Sequence, residues 1–272
     1  MSTTTANYVS PVVCDSEVVS EQPSTNEESQ DSRSETINDI ASQLSVLQNV
    51  TQLSIHRDAE LVQSASFCTM TKFYSMSTSH NSVVFQVLED TDCCSNYCCV
   101  TSKPFQLNII GPCGTNLIRL DRPCHPCASE CACCSCICCY NYLNVMRVYG
   151  PSNSLIGTVQ EVWHPFTPTY LAYEYNDRSG PLFEINGVCC PIETVFNCCF
   201  RSQKCRKIDY RVSLGLTGAE VASIDNQWLE VNKSTAGCEH VCRLRMKLDI
   251  DNEHKAILIG AAFLIAFTQF NR

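Results

Sequence analysis

The sequence predicts an all-β barrel closed around a hydrophobic C-terminal helix, behind an acidic leader with no structure of its own. Three observations carry this. Nine short segments between Ser82 and Ile250 are rich in β-branched or aromatic residues and bounded by Gly, Pro, Asn or Asp. The stretch Lys255 to Phe270, KAILIGAAFLIAFTQF, is the one long apolar run, with no charge from Ala256 to Phe267. The last strand-like segment, ending LDIDN, leads straight into that run. A helix apolar all round must be buried, in a large core or in lipid. An antiparallel array that closes around it buries every face and leaves no free strand edge.

The 272 residues allow one large domain with a tail, or two small domains. Residues 1–44 are rich in Ser, Thr, Glu and Asp, with no apolar period. Such a composition buries too little surface to offset chain entropy, so a disordered leader is expected, with residues 45–272 as the folded domain. From Ile40, the positions Leu44, Leu47, Val50, Leu53 and Ile55 recur at helix-like spacing, followed by Leu61 and Val62. That pattern predicts one or two short helices, or a helix and a strand.

From about Phe73 strands take over. SVVFQVLED, KPFQLNII, NLIRLDRP, YLNVMRVYG, LIGTVQEVW, TYLAYEY, PLFEING, KIDYRVSL and RLRMKLDI follow in order. Explicit turns separate several of them: GPCGTN (111–116), GPSNS (150–154), NDRSG (176–180) and TGAE (217–220). In the closing helix, Asp251 or Asn252 is placed to cap the N-terminus and Glu253 suits its positive end. Gly260, Ala261 and Ala262 make one flank of it thin. A bilayer crossing takes ~20 apolar residues and a core helix shows ~10–14; this run falls between the two.

The net charge of −9 offers no electrostatic footprint for nucleic acid and does not draw the whole chain to an anionic membrane. Cysteine is the outlier, at 22 residues. The N-terminal MSTTTANYVS has neither a basic nor an apolar region of a secretory signal, so a cytosolic chain is expected. Disulfides are rare there, which leaves thiols free, metal-bound or acylated. The sequons at Asn49 and Asn232 are read as chance matches.

The densest cysteine segment is PCHPCASECACCSCICC, with Cys124, Cys127, Cys131, Cys133, Cys134, Cys136, Cys138 and Cys139. Zinc would use Cys124-x-x-Cys127 and Cys136-x-x-Cys139, although their gap is short for a zinc ribbon. Disulfides would need an oxidising compartment. Acylation needs only exposed thiols near a membrane. Spacing alone does not choose among these. Adjacent pairs at 93/94, 98/99, 189/190 and 198/199 point to opposite faces if extended. His164, in Trp163-His164-Pro165, has no nucleophile motif beside it and reads as structural. No GxSxG, P-loop or dinucleotide fingerprint is present, and no enzyme is predicted.

LEDTDCCSNYCC (88–99), KPFQLNIIG (103–111), RLDRPC (119–124), the cysteine segment, IGTVQEVWHP (156–165) and the apolar tail resemble the phospholipid scramblases, in that order and spacing. The resemblance covers roughly residue 45 onward. It implies a tubby-like fold, an antiparallel barrel around a C-terminal helix. It implies ATP-independent, bidirectional movement of phospholipid between leaflets, without covalent chemistry. It also implies palmitoylation, carried over to Cys133, Cys134, Cys136, Cys138 and Cys139, here interrupted by Ser135 and Ile137. The family's calcium loop maps to CEHVCRLRMKLD (238–249). Its acidic positions fall on Cys238, His240 and Asp249, leaving Glu239 and Asp249 as oxygen donors, so weak or absent calcium binding is expected. Cys238, His240 and Cys242 would suit zinc, but RLRMKLDI reads as strand.

The family's basic nuclear-import segment corresponds to ASIDNQWLEV (222–231), which has no Lys or Arg before Trp228. Its Pro-rich adaptor-docking tail is replaced by the acidic leader. Expected partners are a phospholipid membrane, proteins met through the leader, and a second copy in an oligomer. The expected place is the cytoplasmic face of the plasma membrane, with the chain either lipid-anchored or crossing once at its C-terminus. The competing reading is an acyl-anchored adaptor that scrambles nothing itself.

Overall fold

The computed structural model describes residues 42–63, 70–79, 82–90, 104–123, 143–164, 167–177, 179–188, 208–226 and 238–270. The leader expected over 1–44 falls almost wholly outside them, as does the cysteine segment 124–139.

Twelve strands form one closed antiparallel barrel. They are β1 (Gln52–Gln63), β2 (Met70–Ser77), β3 (Val83–Asp90), β4 (Phe105–Ile110), β5 (Asn116–Arg122) and β6 (Val145–Tyr149). The circuit continues with β7 (Leu155–Val162), β8 (Thr169–Glu174), β9 (Phe183–Val188), β10 (Ile208–Leu214), β11 (Glu220–Asn226) and β12 (Cys238–Met246). Each strand pairs with its sequence neighbours, and β1 closes on β12 with Leu53 opposite Leu244. The alternation read from sequence is the burial pattern observed: in β4, Phe105, Leu107 and Ile109 face inward while Gln106, Asn108 and Ile110 stand partly exposed.

The helix-like spacing around residue 50 resolves as a helix and a strand. A single 3₁₀ turn, Leu44–Leu47, precedes β1, which takes up Leu53 and Ile55. Leu44 and Leu47 are buried in the core. The strand expected at RLRMKLDI begins earlier, at Cys238, and ends at Met246.

Helix α1 (Asn252–Phe270) fills the barrel. Eight strands already enclose side chains, and twelve leave room for a helix ~10–12 Å across. From Lys255 to Ala266 every residue is buried. Gly260 lies where the helix comes closest to the wall: a Cβ there would sit 2.6 Å from Val148 Cγ2. The thin flank seen in the sequence therefore lies against β5 and β6. Burying each Leu, Ile or Phe of α1 contributes ~1.5–3 kcal/mol. Asp251 stands in the N-cap position, its carbonyl accepting from the Lys255 N–H at 2.9 Å. Among the described residues, no helix is long and apolar enough to cross a membrane.

Antiparallel pairing gives the barrel two unlike ends. At one end lie the turns after β2, β4, β6, β8, β10 and β12, with the start of α1. Here GPCG (111–114) and GPSN (150–153) use one recipe: Pro at the second position and a left-handed residue at the fourth, Gly114 (φ 76°) or Asn153 (φ 63°). The N–H of that fourth residue bonds to the first residue's carbonyl, at 3.0 Å in both turns. At the other end lie the connections after β1, β3, β5, β7, β9 and β11, with the C-terminus of α1. We call these the turn end and the connection end.

Candidate functional site

Eighteen of the 22 cysteines stand in connections at the connection end. One is in the β1–β2 connection, four in β3–β4, eight in β5–β6 and five in β9–β10. Cys133, Cys134, Cys136, Cys138 and Cys139 belong to the β5–β6 connection and lie outside the described residues. Of the rest, Cys113 is exposed in a turn at the opposite end, and Cys242 is buried inside the barrel.

The described residues at the roots of these connections form a buried polar collar inside the barrel mouth. Arg122 continues the inward phase of Ile118 and Leu120 at the end of β5. Asn144 precedes β6 in phase with Met146 and Val148, and Glu161 follows Gly157 and Val159 on β7. Arg122 Nη2 donates to Asn144 Oδ1 at 2.5 Å, and Asn144 Nδ2 donates to Glu161 Oε2 at 2.6 Å. The Glu161 N–H closes the set on the Asn144 carbonyl at 2.8 Å. Arg122 and Asn144 flank residues 124–142, so this network clamps both roots of the main cysteine connection.

The collar reaches α1 through aromatic rings. Arg122 lies over the Phe105 ring, 5.4 Å from its centroid, and Phe105 packs on Phe267 at 4.4 Å. Tyr74 meets Phe267 edge-on at 5.7 Å and donates to Glu89 Oε2 at 3.0 Å. Burial, and then the Glu89 charge, push the Tyr74 phenol well above its ordinary range, so it remains a donor. The Tyr170 hydroxyl meets Thr268 Oγ1 at 3.0 Å. Arg122, Glu161 and Glu89 thus each have a protein side chain as a hydrogen-bond partner at this mouth.

The turn end is closed differently. The Lys255 ammonium is buried and donates to the carbonyls of Leu47 (3.0 Å) and Gln48 (2.7 Å), at the end of the 3₁₀ turn. Burial holds its pKa below the ordinary lysine value. His254 faces Glu174 at 3.4 Å, and burial, with Asp251 and Glu174 next, raises the Glu253 carboxyl.

The calcium segment 238–249 is mostly strand. Glu239 sits within β12 with its backbone opposite Arg57, and Asp249 is exposed in the turn beyond it. Residues 239–246 are extended at ~3.3 Å each, which keeps the two acidic positions about 20 Å or more apart. The structure does not bring them together. Cys242 faces the Ala262 carbonyl of α1 inside the barrel, and burial pushes its thiol up to about 12. Among the described residues, no group of three His, Cys, Asp or Glu side chains is placed to hold a metal ion. His164 Nδ1 accepts from the Thr167 N–H at 3.2 Å, which secures the bend between β7 and β8.

Sequence reasoning missed the collar and the Lys255 contact. Strand phase was the available signal for Arg122, Glu161 and Glu89. Nothing local points from Lys255 to carbonyls more than 200 residues away.

The chain matches the Scramblase family model over residues 32–272. It is 30% identical to phospholipid scramblase 1 of Homo sapiens over 229 residues, 84% of this chain and 65% of that protein. It is 29% identical to phospholipid scramblase 2 of Bos taurus, across 84% of this chain and 71% of that protein. It spans less than two-thirds of the length of phospholipid scramblase 1 from human, mouse or rat. Among solved structures, a protein from Arabidopsis thaliana overlays 81% of this chain and 95% of its own at 10% identity and a TM-score of 0.40. With the match running from residue 32 to the last residue, the chain belongs to the Scramblase family.

Proposed function

We propose that this protein is a membrane-bound phospholipid scramblase that moves phospholipids both ways between leaflets without ATP. Fatty thioesters on Cys133, Cys134, Cys136, Cys138 and Cys139 hold it to the cytoplasmic face of the plasma membrane. Family membership supports the activity. The observation that carries the anchoring is the gathering of eighteen cysteines into connections at one barrel end. Each buried acyl CH₂ contributes ~0.8 kcal/mol, and lasting attachment takes two chains or a second signal. The β5–β6 connection has thiols enough for several chains.

A headgroup crosses hydrocarbon only along a polar path or through a thinned bilayer. Helix α1 fills the barrel, so lipid passes outside it, where the acylated end disturbs the leaflet. That same filled interior favours a second reading, an acyl-anchored adaptor whose leader meets protein partners. Purified full chain in vesicles with fluorescent lipid separates the two. Transbilayer mixing above protein-free vesicles supports the scramblase; stable binding without mixing supports the adaptor. Under either reading the 238–249 segment supplies no tight calcium site, and calorimetry showing sub-micromolar affinity abolished by Asp249→Asn would overturn that.

A further inference from the structure

We propose that the turn end of the barrel is a docking surface for a basic amphipathic segment of a partner protein. Such a segment lays its apolar face over Leu216, Leu248, Tyr175 and Val46, and sets its Lys or Arg against Asp177, Glu220, Asp249 and Asp251. This surface serves the chain whether or not it moves lipid itself. Among the described residues six large apolar side chains are exposed, and four of them stand at this end: Leu216 at 84%, Tyr175 at 62%, Leu248 at 59% and Val46 at 41%. Backbone hydrogen bonds stitch their segments together along the rim. The Met246 N–H bonds to the Thr51 carbonyl at 2.7 Å, the Lys247 N–H to the Val221 carbonyl at 3.0 Å, and the Gly215 N–H to the Leu182 carbonyl at 3.0 Å. The rim order is therefore the 3₁₀ turn, the end of β12, the β10–β11 turn and the β8–β9 turn. From β12 to β8 is about 20 Å by strand spacing, the length of about 13 helical residues.

The patch is preformed. Leu216 rides a turn closed by the Gly218 N–H on the Leu214 carbonyl at 2.8 Å, and the bend after Tyr175 is held by the Ser179 N–H on Asp177 Oδ1 at 2.8 Å. A partner thus covers it at little ordering cost on this side. Charge selects the partner. Asp177, Glu220, Asp249 and Asp251 are exposed, and Glu174 and Glu253 stand half-buried beside them. Against these carboxylates the segments of this end carry Lys247, Arg178 and the buried Lys255, with His254 facing Glu174. The carboxylates crowd one another: after burial, the charges of Asp251 and Glu174 raise the Glu253 carboxyl. The excess is negative, so an anionic bilayer is repelled. The chain's own leader is repelled too, since residues 1–41 hold eight Asp and Glu against one Arg. A cationic, apolar partner meets both features of the surface. The surface lies opposite the cysteine connections, so it stays open on a chain attached through them.

The probe is a synthetic amphipathic peptide of Leu and Lys, added to the purified full chain, with a peptide of Leu and Glu in the same pattern as control. Hydrogen exchange should show new protection at residues 174–177, 215–220 and 247–250 with the Lys peptide alone. Leu216→Ser/Leu248→Ser, at positions exposed enough to leave folding unchanged, should weaken binding by about tenfold or more. Asp177→Asn/Glu220→Gln/Asp249→Asn should slow association and remove most of its salt dependence. Equal binding of the two peptides, unchanged affinity in the Ser variant, protection that falls on residues 1–41 instead, or no binding overturns the proposal. Self-association, or attachment to phosphatidylcholine–phosphatidylserine vesicles, that the Ser variant abolishes also overturns it, in favour of a second copy or of lipid.

Discussion

The two ends of the barrel are built on different principles. At the turn end short hairpins close with local devices: Pro at the second position, Gly114 or Asn153 in the left-handed region, and a buried lysine sealing the 3₁₀ turn. At the connection end the connections are mostly long and cysteine-rich, and order comes from a buried network of Arg122, Asn144 and Glu161 contributed by separate strands. The difference shows how a closed barrel divides its labour. One end is fixed by residues next to one another in sequence. The other is held from inside, by side chains that meet only when β5, β6 and β7 lie side by side.

The largest expected effect breaks the collar. Arg122→Met leaves Glu161 buried beside an incomplete network, and removing one partner of a buried charged set costs ~3–5 kcal/mol. Denaturant unfolding of Arg122→Met against Arg122→Met/Glu161→Met checks it; the double variant should regain part of the loss. The corresponding break at the turn end is smaller. Lys255→Met strips two carbonyls of their donor, at ~1–3 kcal/mol, partly offset because burial already disfavours the ammonium. It should also loosen hydrogen-exchange protection around residues 44–50 more than around the collar.

A local substitution sharpens the contrast further. Gly114→Val forces a β-branched residue into the left-handed region, at ~1–2 kcal/mol, and its effect should stay within the β4–β5 hairpin by NMR. The smallest effect concerns the core that the two ends share. Burial raises the Cys242 thiol from 9.0 to about 12. Its contribution is fully present below pH 9, where folded and unfolded thiols are both protonated. Between pH 9 and 12 the unfolded chain ionises first, and stability falls. Cys242→Ala should flatten that alkaline decline in urea titrations at successive pH values.

Much of this fold was legible in the sequence. Alternation such as Phe85-Val87 or Phe105-Leu107-Ile109 marks strands, and an uncharged run with small residues on one flank marks the enclosed helix. β1 was ambiguous because Leu47, Val50, Leu53 and Ile55 fit a helical period until the chain turns extended at Gln52. β11 escaped because EVASIDN interrupts its apolar residues with Ala and Ser. The collar was hidden for another reason. Arg122, Glu161 and Glu89 read as ordinary polar strand ends until the inward phase of their strands is known. The common end of the cysteine connections emerges only when all twelve strands are followed in order.

Central to the account is that protein rather than lipid surrounds α1, so that attachment to the membrane depends on thioesters. Treating isolated membranes with neutral hydroxylamine in high salt tests this directly. The account predicts that the intact chain moves to the supernatant, still folded and with Cys242 resistant to alkylation. A chain that stays with the membranes after complete thioester cleavage, and leaves only with detergent, would contradict it.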